Sequence, residues 1–348
     1  MLKRLFYIIL LLMTACIDPY KVEVPEGQQL LTVEGLIHSG PGPHAITLSR
    51  SATYGSMFEG LIRPITGATV VVRDNEGRIT FLTEGVDSRG SYFTPAGFRA
   101  EIGKSYTLQI QTVEGKVYTS LPERVESVPR IENIEVKTVT IPVEGETNPR
   151  SGVQLISEIK DPADQNNFYF WRLGTSVHVL ETSPELFFIR ETRTLAPKDC
   201  CAICYKTEVT GNQSLFIAQD DNFNGLTTRI PAAFIEDNGL RFVNRFRTDL
   251  KQYAISQDAY RFLRLVKQQA DISGSIFDPP PATIRGNMIS LDDPDEVVLG
   301  YFMAAGESSR RIYINKSDLN FRQVPGVIPD DCRTVFGARI DPPFDWNF

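Results

Sequence analysis

The chain has 348 residues, 42% of them hydrophobic, with 43 acidic against 36 basic side chains and a formal net charge of −7. That apolar content is enough to fill globular cores and excludes a disordered chain, while the length admits two or three domains. The acidic balance argues against nucleic acid as a partner and against docking on anionic lipid head groups.

The first sixteen residues have an order of their own. Lys3 and Arg4 give a basic start, Leu5 to Leu12 is an unbroken apolar run, and Met13-Thr14-Ala15 stands ahead of Cys16. This is the pattern of a secretory signal closed by a lipobox, in which the chain is cut before Cys16 and the cysteine is acylated. The run is too short for a bilayer core, which takes about 20 residues. Residues 1–15 are therefore expected to be removed, and the lipid on Cys16 to hold the mature chain on a membrane. Ile17 follows the cysteine where an aspartate would favour the inner membrane, so the outer membrane is the expected address. Residues 16–29, polar and carrying Asp18-Pro19 and Val24-Pro25, read as a tether.

Residues 30–127 read as a β-sandwich. Leu30 to Ile37, Ala45 to Arg50, Ala68 to Arg73 and Ile79 to Leu82 alternate as strands, separated by turns such as Gly40-Pro41-Gly42-Pro43 and Asp74-Asn75-Glu76-Gly77. Gly90 to Phe93, Ser105 to Ile110 and Lys116 to Thr119 continue the series. The rhythm resembles transthyretin-like and immunoglobulin-like surface domains, on which spacing or binding is the usual task.

Leu121-Pro122 and Val128-Pro129 mark a boundary, and residues 128–348 are expected to form a second β-rich domain. Its strands are read at Ile131 to Ile141, Val153 to Ile159, Phe168 to Leu173, Val177 to Leu180, Leu186 to Arg190 and Ser214 to Ala218. One helix is expected over 256–270, capped by Ser256, with Tyr260, Leu263, Val266 and Ala270 at helical spacing and Arg261, Arg264 and Lys267 on the other face. Pro279-Pro280-Pro281 ends it. Ile284 to Ser290 and Val297 to Ala304 then read as a strand pair around the acidic tip Asp292-Asp293-Pro294-Asp295, followed by Arg311 to Asn315. The expected fold class is thus mainly β, a sandwich followed by a β-rich domain with one clear helix.

With Cys16 taken by lipid, Cys200, Cys201, Cys204 and Cys332 remain, an even number in an oxidising compartment. Adjacent cysteines rarely bond each other, so one of the first three is expected to reach Cys332. In the chain-entropy description such a bridge stabilises by roughly 4 to 5 kcal/mol. Four thiolates on zinc are the rival reading, although Cys-Cys-x-x-Cys lacks the paired knuckles of common structural sites. Asp220-Asp221-Asn222-Phe223-Asn224-Gly225 fits the opening of a calcium loop through Asp220, Asn222 and Asn224. Its twelfth position is Pro231, however, where a bidentate glutamate belongs, and a polar turn is the competing reading.

His38, His44 and His178 are scattered with no metal-binding spacing, and no phosphate loop, dinucleotide fingerprint or nucleophile elbow occurs. Trp171 and Trp346 could contribute to a carbohydrate-stacking surface. No catalytic residue is assigned, and an enzyme is not expected.

Several stretches together carry a family resemblance: Cys16-Ile17-Asp18-Pro19-Tyr20, Leu31-Thr32-Val33-Glu34-Gly35, Leu48-Ser49-Arg50-Ser51, Asp161-Pro162 and Phe168-Tyr169-Phe170-Trp171-Arg172. Gly274 to Pro281, Ile284-Arg285-Gly286-Asn287 and Gly300-Tyr301-Phe302 complete the set, and Gly274 to Asn287 is its most specific part. The chain resembles the domain-of-unknown-function family numbered forty-two forty-nine. That resemblance implies an outer-membrane lipoprotein associated with TonB-dependent, SusC/SusD-type uptake systems, and it supplies no catalytic motif. A binding or accessory subunit of such a system is the expected function. A secreted hydrolase or a structural adhesion protein are the alternatives.

Overall fold

Leu31–His38 turns Leu31, Val33 and Ile37 inward and leaves Glu34 exposed, the period of two that a half-buried strand requires. It opens a computed structural model that describes residues 29–51, 63–142, 149–163, 165–209, 215–271, 284–320, 326, 328 and 330–346. The signal segment, Cys16, nearly all of the tether and Gly274 to Pro281 lie outside the described residues. The fold is mainly β, in several sheets, with one α-helix among the described residues.

Leu31–His38 pairs antiparallel with Ala45–Arg50, and Ser91–Phe93 and Thr83–Glu84 extend that sheet. A second sheet sets Thr69–Asp74 between Ile79–Phe81 and Ser105–Gln111, with Val117–Ser120 beyond. Val33, Ile37 and Leu48 from the first sheet and Val70, Val72, Leu108 and Ile110 from the second fill one core.

That core is not closed by residues 30–127. Met288–Ser290 adds to the second sheet beside Val117–Ser120 and does not pair with the strand that follows it. The 17-residue strand Leu299–Asn315 adds to the first sheet, parallel to Leu31–His38. Met288, Val298, Phe302 and Ala304 belong to the first core. The expected boundary at residue 128 therefore divides the sequence and not the packing, and of the expected strand pair over 284–304 one antiparallel bridge, Arg285 to Leu299, is formed before the two strands separate to opposite sheets.

Asn287 fixes this separation. Its side chain bonds both backbone groups of Phe302, accepting from the N–H at 3.0 Å and donating to the carbonyl at 2.8 Å, while its own carbonyl accepts from Leu121 N–H. Two glycines allow the close approach. Gly300 has φ +84°, and a Cβ there would lie 1.9 Å from the Val33 carbonyl oxygen; a Cβ on Gly286 would lie 1.5 Å from the Gly300 carbonyl oxygen.

The other half of Leu299–Asn315 pairs antiparallel with Arg245–Ala254, from Gly306 opposite Ala254 to Asn315 opposite Arg245. Arg245–Ala254 also pairs with Phe168–Leu173 and with Thr175–Glu181. A three-stranded sheet of Ile131–Ile141, Arg150–Lys160 and Thr227–Glu236 contributes to a second core with them, filled by Leu155, Trp171, Ile235, Phe246 and Leu250. Thr227–Glu236 and Arg245–Ala254 are strands that the sequence reading does not contain. Pro231 masks the first: it lies where the register slips against Leu155 and Ile156, on a strand paired along one edge only, which is where a strand tolerates proline. The second, in which Arg245, Arg247, Asp249 and Lys251 alternate with the buried Phe246, Thr248, Leu250 and Gln252, is masked because half of its inward face is polar.

The helix Gln257–Ala270 begins at the expected cap, with Ser256 Oγ accepting the Ala259 N–H at 3.1 Å. Ala259 and Leu263 are buried against Phe168, Phe170, Tyr253, Tyr301 and Met303, whereas Val266 is half-buried and Ala270 exposed. Leu263→Ala is expected to cost about 2 to 5 kcal/mol, and Arg264→Ala, on the exposed face, less than about 0.5 kcal/mol. Urea unfolding of the full chain in detergent compares them; equal midpoints would remove the helix from the core.

Candidate functional site

On Leu31–His38 the side chains of Thr32, Glu34, Leu36 and His38 do not enter the first core, and the last three line a cleft. They face the seam where the shared strand passes from one half of the fold to the other. The turn after His38 returns the chain to His44, anchored by its own N–H donating to Thr94 Oγ1 at 2.9 Å and its carbonyl accepting from Thr94 N–H at 3.0 Å. The two imidazoles meet edge to face with ring centres 4.0 Å apart. Leu299–Asn315 supplies Glu307, whose Oε2 lies 2.9 Å from His38 Nδ1 and 3.4 Å from Lys251 Nζ. Glu307 N–H donates to Ser39 Oγ at 2.9 Å, which ties the carboxylate to the same turn.

The two histidines border a cleft of about 260 Å³ lined by Glu34, His38, His44, Thr47, Arg172 and Tyr253, among others, and Glu307 lies behind His38. Burial pushes the His44 imidazole down from 6.5 to about 4, His38 beside it acts in the same sense, and the Phe98 carbonyl works against both. His44 is therefore neutral at pH 7. Burial acts to raise Glu307, but the hydrogen bond and charge of His38, with Lys251 behind them, hold its carboxyl below the usual range. Burial and the neighbouring Glu307 keep the Tyr253 phenol protonated. At the rim, Arg172 lies 3.3 Å from Glu34 and 5.2 Å from the Phe170 ring centre.

The arrangement is a set of compensated charges around a small polar hollow. It offers hydrogen-bond donors and acceptors on paired strands, which can meet the polar groups of a small ligand.

The residues singled out from sequence lie elsewhere. Cys204 bonds Cys332 across 128 positions, with Cα atoms 5.6 Å apart. Cys200 is joined to Cys201, contrary to the expectation that neighbours avoid each other. With Cys204 committed to Cys332, the two remaining sulfurs have only each other, and the four thiolates of the zinc reading are consumed. The calcium loop is not formed as expected: Asp220 points into the protein, Asn222 and Asn224 are exposed, and Asn224 Nδ2 donates to the Gln165 carbonyl at 3.3 Å. Trp171 is fully buried with Nε1 donating to Gln252 Oε1, and Trp346 is 8% exposed, so neither forms a stacking surface. Among the described residues, no group of three or more His, Cys, Asp or Glu side chains converges on a metal position.

His38, His44 and Glu307 were not grouped by sequence reasoning. One signal was available: a Gly-Pro turn between two alternating strands makes residues 38 and 44 neighbours. Glu307 is brought in by a strand pairing across more than half of the chain, which no local pattern announces.

Acid should weaken the fold through this site. The folded chain holds His44 neutral, as it does His178, which burial lowers to about 4 against the opposing charge of Glu208. The unfolded chain therefore binds more protons between pH 6.5 and about 4, and stability falls as pH drops through that window. Glu307, lowered in the fold, adds a further loss below the ordinary carboxylate range. The urea midpoint is expected to decline from pH 6.5 downward, and less steeply in His44→Gln; identical slopes would show that His44 carries no such linkage.

A family model described as Domain of unknown function (DUF4249) matches residues 17–311. No curated protein matches the chain.

Proposed function

Because the chain belongs to the DUF4249 family, a domain of unknown function, we propose its role from its own residues: it is an outer-membrane lipoprotein that serves a TonB-dependent uptake system as a binding or accessory subunit. The observation that carries this reading is the order of the first sixteen residues, a basic start, an apolar run and small residues ahead of Cys16. The family match begins at Ile17, directly after that cysteine, which is consistent with a mature chain that starts there.

Two further features support it. Among the described residues no helix is long and apolar enough to cross a membrane, and a chain held by lipid on Cys16 needs none. The cleft beside His38 and Arg172 has the size and polarity of a small-ligand subsite, and its charged groups are held by one another in fixed positions. Fixed, compensated charges suit recognition; turnover would require a group left reactive. The family has no assigned activity, and the proposal is of a protein that binds and hands over without catalysing.

Palmitate labelling is expected to mark the wild-type chain and leave Cys16→Ala unlabelled and released from the membrane. The wild-type chain solubilised from native membranes is expected to bring a TonB-dependent β-barrel with it. Equal labelling of both forms would remove the anchor, and a labelled preparation without a barrel would remove the receptor.

A further inference from the structure

The segment from Cys332 to Trp346 forms an arc that is fastened at both ends. At Cys332 the bridge to Cys204 ties it to the strand Ile203–Val209. At the far end Asp345 Oδ1 accepts from Arg247 Nη1 at 2.6 Å, and its Oδ2 lies 2.7 Å from Arg311 Nη1. Trp346 beside it packs edge to face on Tyr205 and Tyr313, with ring centres 5.2 and 5.7 Å away. Between these anchors only Ala338 and Arg339 pair with the strand, opposite Lys206 and Tyr205. Held off the strand in this way, the arc leaves a cleft of about 530 Å³. Small-molecule sites are commonly about 300 to 1,000 Å³. This one shares no lining residue with the cleft beside His38.

Its lining carries two charges that nothing compensates. Tyr205 and Thr207, two positions apart on one face of Ile203–Val209, line it from the strand, and Arg339, Asp341 and Phe344 line it from the arc. Arg339 and Asp341 are exposed, and among the described residues neither forms an ion pair, with the other or with a third group. At the His38 cleft, by contrast, the charges hold one another. Opposite charges that share a cleft without closing on each other suit a molecule that carries both. A guanidinium grips a carboxylate through two parallel N–H···O bonds, and a carboxylate accepts from an ammonium. Phe344 is fully exposed and offers its ring to an apolar side chain, while the hydroxyls of Tyr205 and Thr207 can meet peptide N–H and C=O groups. A simple anion would set its charge against Asp341, and a neutral sugar would need neither charge.

We propose that this cleft binds a short peptide with free termini, its α-carboxylate on Arg339, its α-ammonium on Asp341 and an apolar side chain against Phe344. The site depends on neither the lipid on Cys16 nor a receptor, so it stands or falls apart from the role proposed above.

The test titrates the full chain in detergent at neutral pH with the dipeptide alanyl-phenylalanine. Trp346 reports occupancy through its contact with Tyr205, and the one other tryptophan of the chain, Trp171, is fully buried in the second core. A saturable change in tryptophan emission is expected, and calorimetry on the same samples decides if the emission stays silent. Arg339→Gln and Asp341→Asn, both at exposed positions, should each weaken binding about tenfold or more, as the loss of a charge-assisted contact does. The same dipeptide acetylated at one end and amidated at the other lacks both charges and should weaken at least as much. No binding by either readout up to about 10 mM peptide overturns the proposal. So does a blocked peptide that binds as tightly as the free one, or two variants that bind as wild type. Weakening by Arg339→Gln with Asp341→Asn unchanged would also overturn it, because that pattern describes a site for simple anions.

Discussion

Leu299–Asn315 is the element without which neither half of this protein is complete. Its first residues run parallel to Leu31–His38 and its last run antiparallel to Arg245–Ala254. Parallel pairing needs a crossover, and here the crossover is most of the chain. Within the parallel pairing, from Tyr301 to Ala305, the strand is buried on both faces. Phe302 and Ala304 enter the first core, while Tyr301, Met303 and Ala305 lie under the helix. This double burial explains why Tyr301 to Ala305 is a continuous apolar run in a protein whose other strands mostly alternate. A buried carboxylate secures the junction: Glu123 accepts from Tyr301 OH at 2.6 Å, from Ser256 Oγ at 2.8 Å and from Asn287 Nδ2 at 3.4 Å. One side chain thereby ties together the shared strand, the helix cap and the segment that closes the first core.

The polar cleft follows from the same strand. Glu307 lies just past the point where Leu299–Asn315 leaves one sheet partner for the other, so it reaches His38 from the first half and Lys251 from the second. Its ionisation is a consequence of meeting both. A ligand entering the cleft would touch residues from Leu31–His38, Phe168–Leu173 and Arg245–Ala254 at once. Any partner that altered the seam would alter the cleft.

Much of the architecture was legible from local pattern. Ala45–Arg50, Ile131–Ile141 and Phe168–Leu173 are strands over the residues read from sequence, and Ser256 caps the helix as its side chain and position required. What failed was whatever depends on distant partners. Arg247 makes Arg245–Ala254 look like a surface segment, yet it is buried, because Asp345 neutralises it at 2.6 Å from nearly a hundred residues away. Gly286 and Asn287, within the most family-specific stretch, carry no chemical signature. Their purpose appears only when Phe302 and Gly300 are seen against them. The cleft was illegible for the same reason, since the contact that backs it joins residues 38 and 307.

If Leu299–Asn315 unites the two halves, damage at its first end should be felt at its second. Gly300 is the place to apply it, because a side chain there has no room against Val33 and the backbone is left-handed. Hydrogen exchange followed by mass spectrometry, comparing wild type with Gly300→Ala, gives the most direct measurement. A shared strand predicts that amide protection falls together in Leu31–His38 and in Arg245–Ala254. Loss confined to Leu31–His38 and its sheet, with Arg245–Ala254 protected as in wild type, would show two independent domains that happen to share a segment of chain.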